Sequence, residues 1–195
     1  MPFDINKFQQ NIAEYDIILS DKFDLTITLP PILQTLSSQT NNSYGYLSQW
    51  NEVNPMRAVS CSTPGVAMME HETNKFGVGP RIKQAYNAVF VPIRVSFLAD
   101  AKNIIEDTLT LWLNSRFQYS FDSGSLSTFM SNYRSDTVSP SIIINKYDRH
   151  GNKTKTYNIT GATPTILSSQ KLDWGMRNSL NILNTTFDYV SYTSS

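Results

Sequence analysis

The stretch Asn87 to Asp100, NAVFVPIRVSFLAD, constrains the fold more than any other part of the chain, because the hydrophobic period changes where it ends. Val89, Val91, Ile93, Val95 and Phe97 fall on one side of an extended strand, and Phe90, Pro92, Arg94, Ser96 and Leu98 on the other. Pro92 cannot donate to a ladder, which places a bulge or an edge there. From Ala101 to Phe117 the period becomes helical, with Ile105, Leu109, Trp112 and Leu113 along one stripe and Asp100 as the N-cap. A strand that runs into an amphipathic helix calls for a sheet with a helix packed on it.

The other segments are read the same way. Ile5, Phe8, Ile12 and Tyr15 suit a short helix in the N-terminal segment 1–20, with Asp4 as its cap. KFDLTITLP alternates, with Phe23, Leu25, Ile27 and Leu29 on one face, and Pro30-Pro31 ends that strand. Residues 34–55 and 118–137 are polar and read as long surface loops. SIIINKYD and KTKTYNITG form a hairpin, with His150-Gly151 or Asn152 at the turn. A link carrying Pro164 follows, and SLNILNTTFDYVSY reads as one C-terminal strand. The expected fold is mainly β with one packed helix, in a single domain spanning 1–195.

Between two of these strands lies a segment of another kind. MRAVSCS alternates weakly and ends at Thr63-Pro64-Gly65, where proline fixes φ and a glycine at positive φ would complete a type II turn. Residues 66–86 then show no long apolar alternation and are broken at FGVGP. They read as an extended ribbon with too little apolar surface to be core by itself. Its candidate contact residues are Val66, Met68, Glu70, His71, Phe76, Gly77, Gly79 and Pro80.

Composition narrows the function classes. Lys+Arg and Asp+Glu are both 16, so the formal net charge is zero, which opposes a dedicated nucleic-acid binder and favours association. No signal-peptide pattern opens the chain, and no run approaches eighteen apolar residues. No membrane span is expected. With one cysteine no internal disulfide can form, which fits a reducing compartment or one where redox is irrelevant.

Catalytic and metal-binding readings find little support. Cys61, ten residues before His71, invites a thiol nucleophile with its base, but it lies in a strand with no helix N-terminus to lower its pKa. A small buried strand residue is the simpler account. Glu70, His71 and Glu72 alternate faces on a ribbon and cannot converge on a metal, and His150 sits in a turn. The chain contains no P-loop, G-x-G-x-x-G, H-E-x-x-H, G-x-S-x-G or C-x-x-C pattern. No catalytic residue, cofactor site or metal site is expected. Trp50, Trp112, Trp174 and the ten tyrosines allow a glycan platform, but core packing explains Trp112 better.

Taken in order, SCSTPG, the ribbon, the apolar strand, DAKNIIEDTLTLWLN (Asp100–Asn114), the hairpin, GATPT and LDWGMRNSLNILNTTFDYVSY (Leu172–Tyr192) follow a known pattern. Over about residues 56–192 the chain resembles the tail tube proteins of contractile-tailed bacteriophages and their baseplate tube-initiating relatives. The more specific stretches are Cys61–Gly65, the helix with Trp112, and Leu172, Asp173 and Trp174. In place of the family's Arg-Pro-Asn entry stands LSDKFDLTITLPP, and loops 34–55 and 118–137 exceed what a minimal tube subunit needs.

The resemblance implies two packed antiparallel sheets with a flanking helix and an extended inter-subunit hairpin. It further implies a homo-hexameric ring whose inner sheets join into one continuous β-barrel. Rings would stack into a tube inside a sheath, on a baseplate, assembled in the host cytoplasm and carried in the virion. Genomic dsDNA would pass through the lumen without specific binding. Lumen residues should then be polar or acidic, and Arg94 must be paired if it faces the lumen. An initiator ring, the inner tube of a bacterial contractile injection system and a monomeric β-sandwich binding module remain open.

Overall fold

The computed structural model describes residues 21–38, 42–51, 57–73, 82–120, 128–131, 140–170, 173–175 and 180–195. The elements are β1 (Phe23–Ile27), α1 (Pro31–Ser38), a 3₁₀ stretch (Asn42–Gln49), β2 (Ala58–Cys61), β3 (Gly65–Thr73), β4 (Ile82–Val91), β5 (Ile93–Leu98) and α2 (Ile104–Arg116). After them come β6 (Phe117–Ser120), β7 (Thr128–Ser131), β8 (Ser141–Tyr147), β9 (Lys153–Thr160), β10 (Thr163–Leu167), β11 (Ile182–Asp188) and β12 (Ser191–Ser194). The helix expected over Phe3–Tyr15 lies outside the described residues.

Two four-stranded antiparallel sheets organise the molecule: sheet I, in the order β1-β8-β9-β12, and sheet II, in the order β10-β11-β5-β2. Alternation decides what each sheet buries. Leu25, Ile27, Ile142, Ile144 and Ile159 of sheet I meet Ile93, Val95, Phe97, Leu183 and Phe187 of sheet II in one core. Helix α2 adds Ile105, Leu109 and Trp112, all buried, while Leu113 is half-buried. The Trp112 and Phe187 ring centroids lie 6.0 Å apart. The helix begins three residues later than its periodicity suggests, yet Asp100 still caps it by accepting a hydrogen bond from the Ile104 N–H at 2.9 Å.

Several expectations need correcting. Residues 34–55 are not one long loop: α1 occupies 31–38 and the 3₁₀ stretch 42–49. Pro31 stands at the first helical position, where its missing N–H leaves no bond unmade. Leu33, Leu47 and Trp50 pin the segment to the core, their apolar anchors outweighing a polar composition. The Trp50 Nε1–H donates to the Ile27 carbonyl at 2.9 Å and so covers the outer edge of β1. The described residues therefore contain two α-helices. In the second presumed loop, β6 pairs with β7.

Prolines and tyrosines redraw the other boundaries. Pro92 divides the long strand, so that β4 and β5 belong to different sheets. Val89 and Val91 are consequently exposed, whereas Ile93, Val95 and Phe97 are buried. The link with Pro164 is itself a strand, β10, on the edge of sheet II, where a missing donor is tolerated. The C-terminal strand is two: β11 lies in sheet II and β12 in sheet I, with Tyr189 and Val190 at the crossing. The 148–152 turn of the β8–β9 hairpin has Gly151 at φ +88°. There the Asp148 carboxylate accepts from the Asn152 side chain and from the His150 and Asn152 N–H groups, which holds it below the usual carboxylate range.

Candidate assembly surfaces

Strands β3 and β4 pair along their length, Gly65 with Val91 through Thr73 with Ile82, and bulge at Tyr86 between the Met69–Asn87 and Glu70–Ala85 pairs. This two-stranded ribbon joins neither main sheet. Residues 66–72 and 83–91 are exposed at both alternating positions, so neither face is buried. Met68 is 65% and Tyr86 66% exposed, and Val66, Met69, Val89, Phe90 and Val91 are exposed as well. Lys83 bridges Glu70 and Glu72 at 3.6 and 3.7 Å, and His71 stands opposite Gln84. The ribbon tip, with Phe76, Gly77, Gly79 and Pro80, lies outside the described residues.

An aromatic cluster holds the ribbon's base. The Phe90 ring packs on Tyr189 at 5.4 Å and on Tyr192 at 6.0 Å, and the Tyr189 hydroxyl donates to the Gly65 carbonyl at 3.1 Å. Burial raises the Tyr189 pKa despite that bond. Sequence reading missed this anchor, although the aromatic density of FDYVSY was its signal. Gly65 is not at positive φ: it opens β3 in extended conformation, so the type II turn is replaced by a direct entry into the strand after a buried Pro64.

Cys61 ends β2, half-buried against the core, with its thiol 3.3 Å from the Ser62 carbonyl. Burial pushes the thiol up to about 12, the opposite of what a nucleophile needs. At pH 8 iodoacetamide is expected to alkylate Cys61 at least about a hundredfold more slowly in the folded protein than in guanidinium, because the thiolate fraction falls tenfold per unit of pKa. Equal rates, read by intact mass, would refute this. Among the described residues no three of His, Cys, Asp and Glu come together as a metal site, and no helix is long and apolar enough to cross a membrane.

The solvent face of sheet II differs from the ribbon. It carries Ser60, Arg94, Ser96, Asn184, Thr186 and Asp188, and the Ser96 hydroxyl bonds Asn184 at 2.8 Å. Arg94 and Asp188 are the two charged residues of its four strands, +1 − 1 = 0. Sheet I instead carries Asp24, Lys146, Lys153 and Lys155, +3 − 1 = +2. Both edge strands of sheet II contain a bulge and expose an apolar side chain, Val59 at 52% and Ile166 at 56%. Bulges of this kind recur at sheet edges and barrel rims.

Of the Leu172, Asp173 and Trp174 motif, Leu172 lies outside the described residues. Asp173 accepts from the Gly175 N–H at 2.9 Å, and Trp174 is fully exposed. Trp50, paired with Trp174 in the glycan-platform reading, is fully buried and unavailable to a ligand.

Comparison with known proteins places this geometry. A family model described as phage tail tube protein matches residues 18–195. Among curated proteins none matches the chain. In solved structures, a chain of the sheath–tube complex of the extracellular contractile injection system PVC, in its extended state, is similar with a TM-score of 0.55 at 16% identity. The match covers 95% of this chain and 96% of that one. A chain of the anti-feeding prophage baseplate gives 0.58 at 10% identity, covering 92% and 95%. A chain of the anti-feeding prophage tube-terminating cap gives 0.53 at 17%, covering 94% and 97%. At these identities the likeness is one of fold. The family model spans nearly the whole chain, and the chain belongs to the phage tail tube protein family, as a structural subunit of the inner tube.

Proposed function

We propose that this chain closes into six-membered rings that stack as the inner tube of a contractile tail, with sheet II lining the channel. The observation that carries the reading is the difference between the sheets. Sheet II has a face on which Ser60, Ser96, Asn184 and Thr186 stand with one Arg94 and one Asp188 per subunit, with Ile182 and Ile166 exposed toward its end and edge, and Val59 exposed on the opposite edge strand. Sheet I is net positive, and Trp50 covers its β1 edge. A channel that passes a polyanion must neither grip nor repel it, so charge balance selects sheet II. Joining β2 of one subunit to β10 of the next would satisfy both edges and bury both apolar side chains.

The ribbon, from Val66 through His71 to the tip, then belongs to contacts between copies, because its described residues 66–72 and 83–91 are exposed on both faces and the aromatic contacts of Tyr189 and Tyr192 hold only its base. Sheath and baseplate are the expected partners outside the tube, as in the assemblies that hold the fold neighbours, and the virion tail is the expected location. No catalytic role is assigned. The neighbours from baseplate and cap leave an end-specific ring as the second reading.

Negative-stain microscopy of the purified protein should show six-fold rings with an axial channel, and tubes at higher concentration. A protein that stays monomeric by sedimentation at about 100 μM, far above the micromolar range of stable associations, would sink the proposal.

A further inference from the structure

Both stems of the ribbon come from sheet II, yet the ladder does not run through into it. At the stems the Ser62 N–H donates to the Arg94 carbonyl at 2.9 Å, and the Arg94 N–H donates to the Ser62 hydroxyl at 2.8 Å. The ribbon's own ladder opens with the pair Gly65 and Val91. Between the two stand Pro64 on one stem and Pro92 on the other, and neither has an N–H to donate. The ribbon is thus joined to the body through two prolines.

A two-stranded ribbon with no covered face is marginal by itself, and this one is exposed on both faces over 66–72 and 83–91. Its order has to come from its base. There Tyr189 touches both strands. Its hydroxyl donates to the Gly65 carbonyl at the start of β3, and its ring lies 5.4 Å from that of Phe90 near the end of β4. Tyr192 closes the cluster, 6.0 Å from Phe90 and 6.1 Å from Tyr189. Tyr189 stands at the crossing between the sheets and Tyr192 in β12 of sheet I, and both pack against the core. An arm that leaves sheet II through prolines is therefore gripped by the chain that leads into sheet I, and the grip sets its direction.

We infer that Tyr189, with Tyr192 and Phe90, is a latch that keeps the β3–β4 ribbon ordered and fixed in direction in the free subunit, before it meets another copy. A preformed arm loses less conformational freedom on contact than a loose one, which strengthens the contact without adding an atom to it. The latch is independent of the tube reading, whereas its use in assembly rests on that reading.

Amide hydrogen exchange tests the latch on the full-length subunit, held below the concentration at which it assembles. Tyr189→Ala should speed exchange of the amides of 66–69 and 87–90 at least about tenfold, while those of β5 and β8 keep the parent's rates. Tyr189→Phe keeps the ring, loses the hydroxyl bond and should restore most of the protection. Phe90→Ala removes a ring that lies outside the core and should loosen the ribbon just as selectively, which keeps the test decisive should Tyr189→Ala disturb the body. Ribbon amides that exchange at the parent's rate in both alanine variants, or that are unprotected in the parent, overturn the inference. For assembly, Tyr189→Ala should raise the tube-forming concentration at least about tenfold, and Tyr189→Phe much less. Tubes at the parent's concentration despite a loosened ribbon overturn the assembly role. Absence of rings from the unsubstituted protein overturns the tube reading alone, and the exchange rates still decide the latch.

Discussion

Replacing Met68 and Tyr86 together by lysine is expected to abolish tubes while leaving a folded protein that stops at rings. Both side chains are about two-thirds exposed and lie outside the core, so folding loses almost nothing: a melting temperature within about 2 °C of the parent is expected for surface positions of this kind. Assembly loses much more. Burying each such side chain between copies contributes roughly 1.5–3 kcal/mol. Losing two weakens every joint by a factor of roughly 10² or more and adds desolvation of the new charges. The readout is a pair of measurements, thermal unfolding for the fold and electron microscopy with sedimentation for the tube. Normal tubes in this variant would show the ribbon to be a bystander. A collapse in melting temperature would show that the ribbon serves its own chain.

Trp50→Ala should act the opposite way, on the fold before the assembly. The indole is fully buried among Leu33, Leu47 and the sheet I face, and its N–H caps the Ile27 carbonyl. Truncation leaves a cavity and removes the indole hydrogen bond, with an expected loss of about 3–5 kcal/mol. For a chain of this length that is roughly 10 °C or more in melting temperature. Opening the β1 edge should also make the variant aggregate, because an uncovered strand offers its backbone to other chains. Trp50→Phe separates the two contributions: the ring stays, the hydrogen bond goes, and about 1 kcal/mol is expected to be lost. A variant as stable as the parent would mean that the 31–50 segment is an ornament and not a clamp.

Local rules carried the reading wherever one chain segment decides its own structure. The alternation of KFDLTITLP buried Leu25 and Ile27, and the stripe on α2 buried Ile105, Leu109 and Trp112. Asp100 was recognisable as a cap, and the ribbon as a hairpin without a core, because each depends on spacing or on the lack of it. Apart from the type II turn at Pro64-Gly65, the readings that failed needed a partner distant in sequence. Trp50 sits in a polar stretch, and only its contact with Ile27 turns that stretch into a clamp. Pro92 and the Tyr189–Val190 crossing redirect the chain between layers, a choice set by which sheet has room for the next strand. The anchoring of Phe90 by Tyr189 and Tyr192 unites residues about one hundred positions apart.

By itself, then, the sequence determined a mainly β protein with a neutral surface, a helix that buries Trp112, a cysteine unsuited to chemistry and an unsupported ribbon. Period, cap and composition are local properties, and they can be read without knowing what packs where. Only the tertiary structure decided which strands share a sheet, and hence that Arg94 and Asp188 balance within one sheet while Lys146, Lys153 and Lys155 belong to the other. It also set the β3–β4 ribbon apart from both main sheets. Faces and ends exist only once strands from distant parts of the chain have been laid side by side, and it is through faces and ends that a tube subunit works.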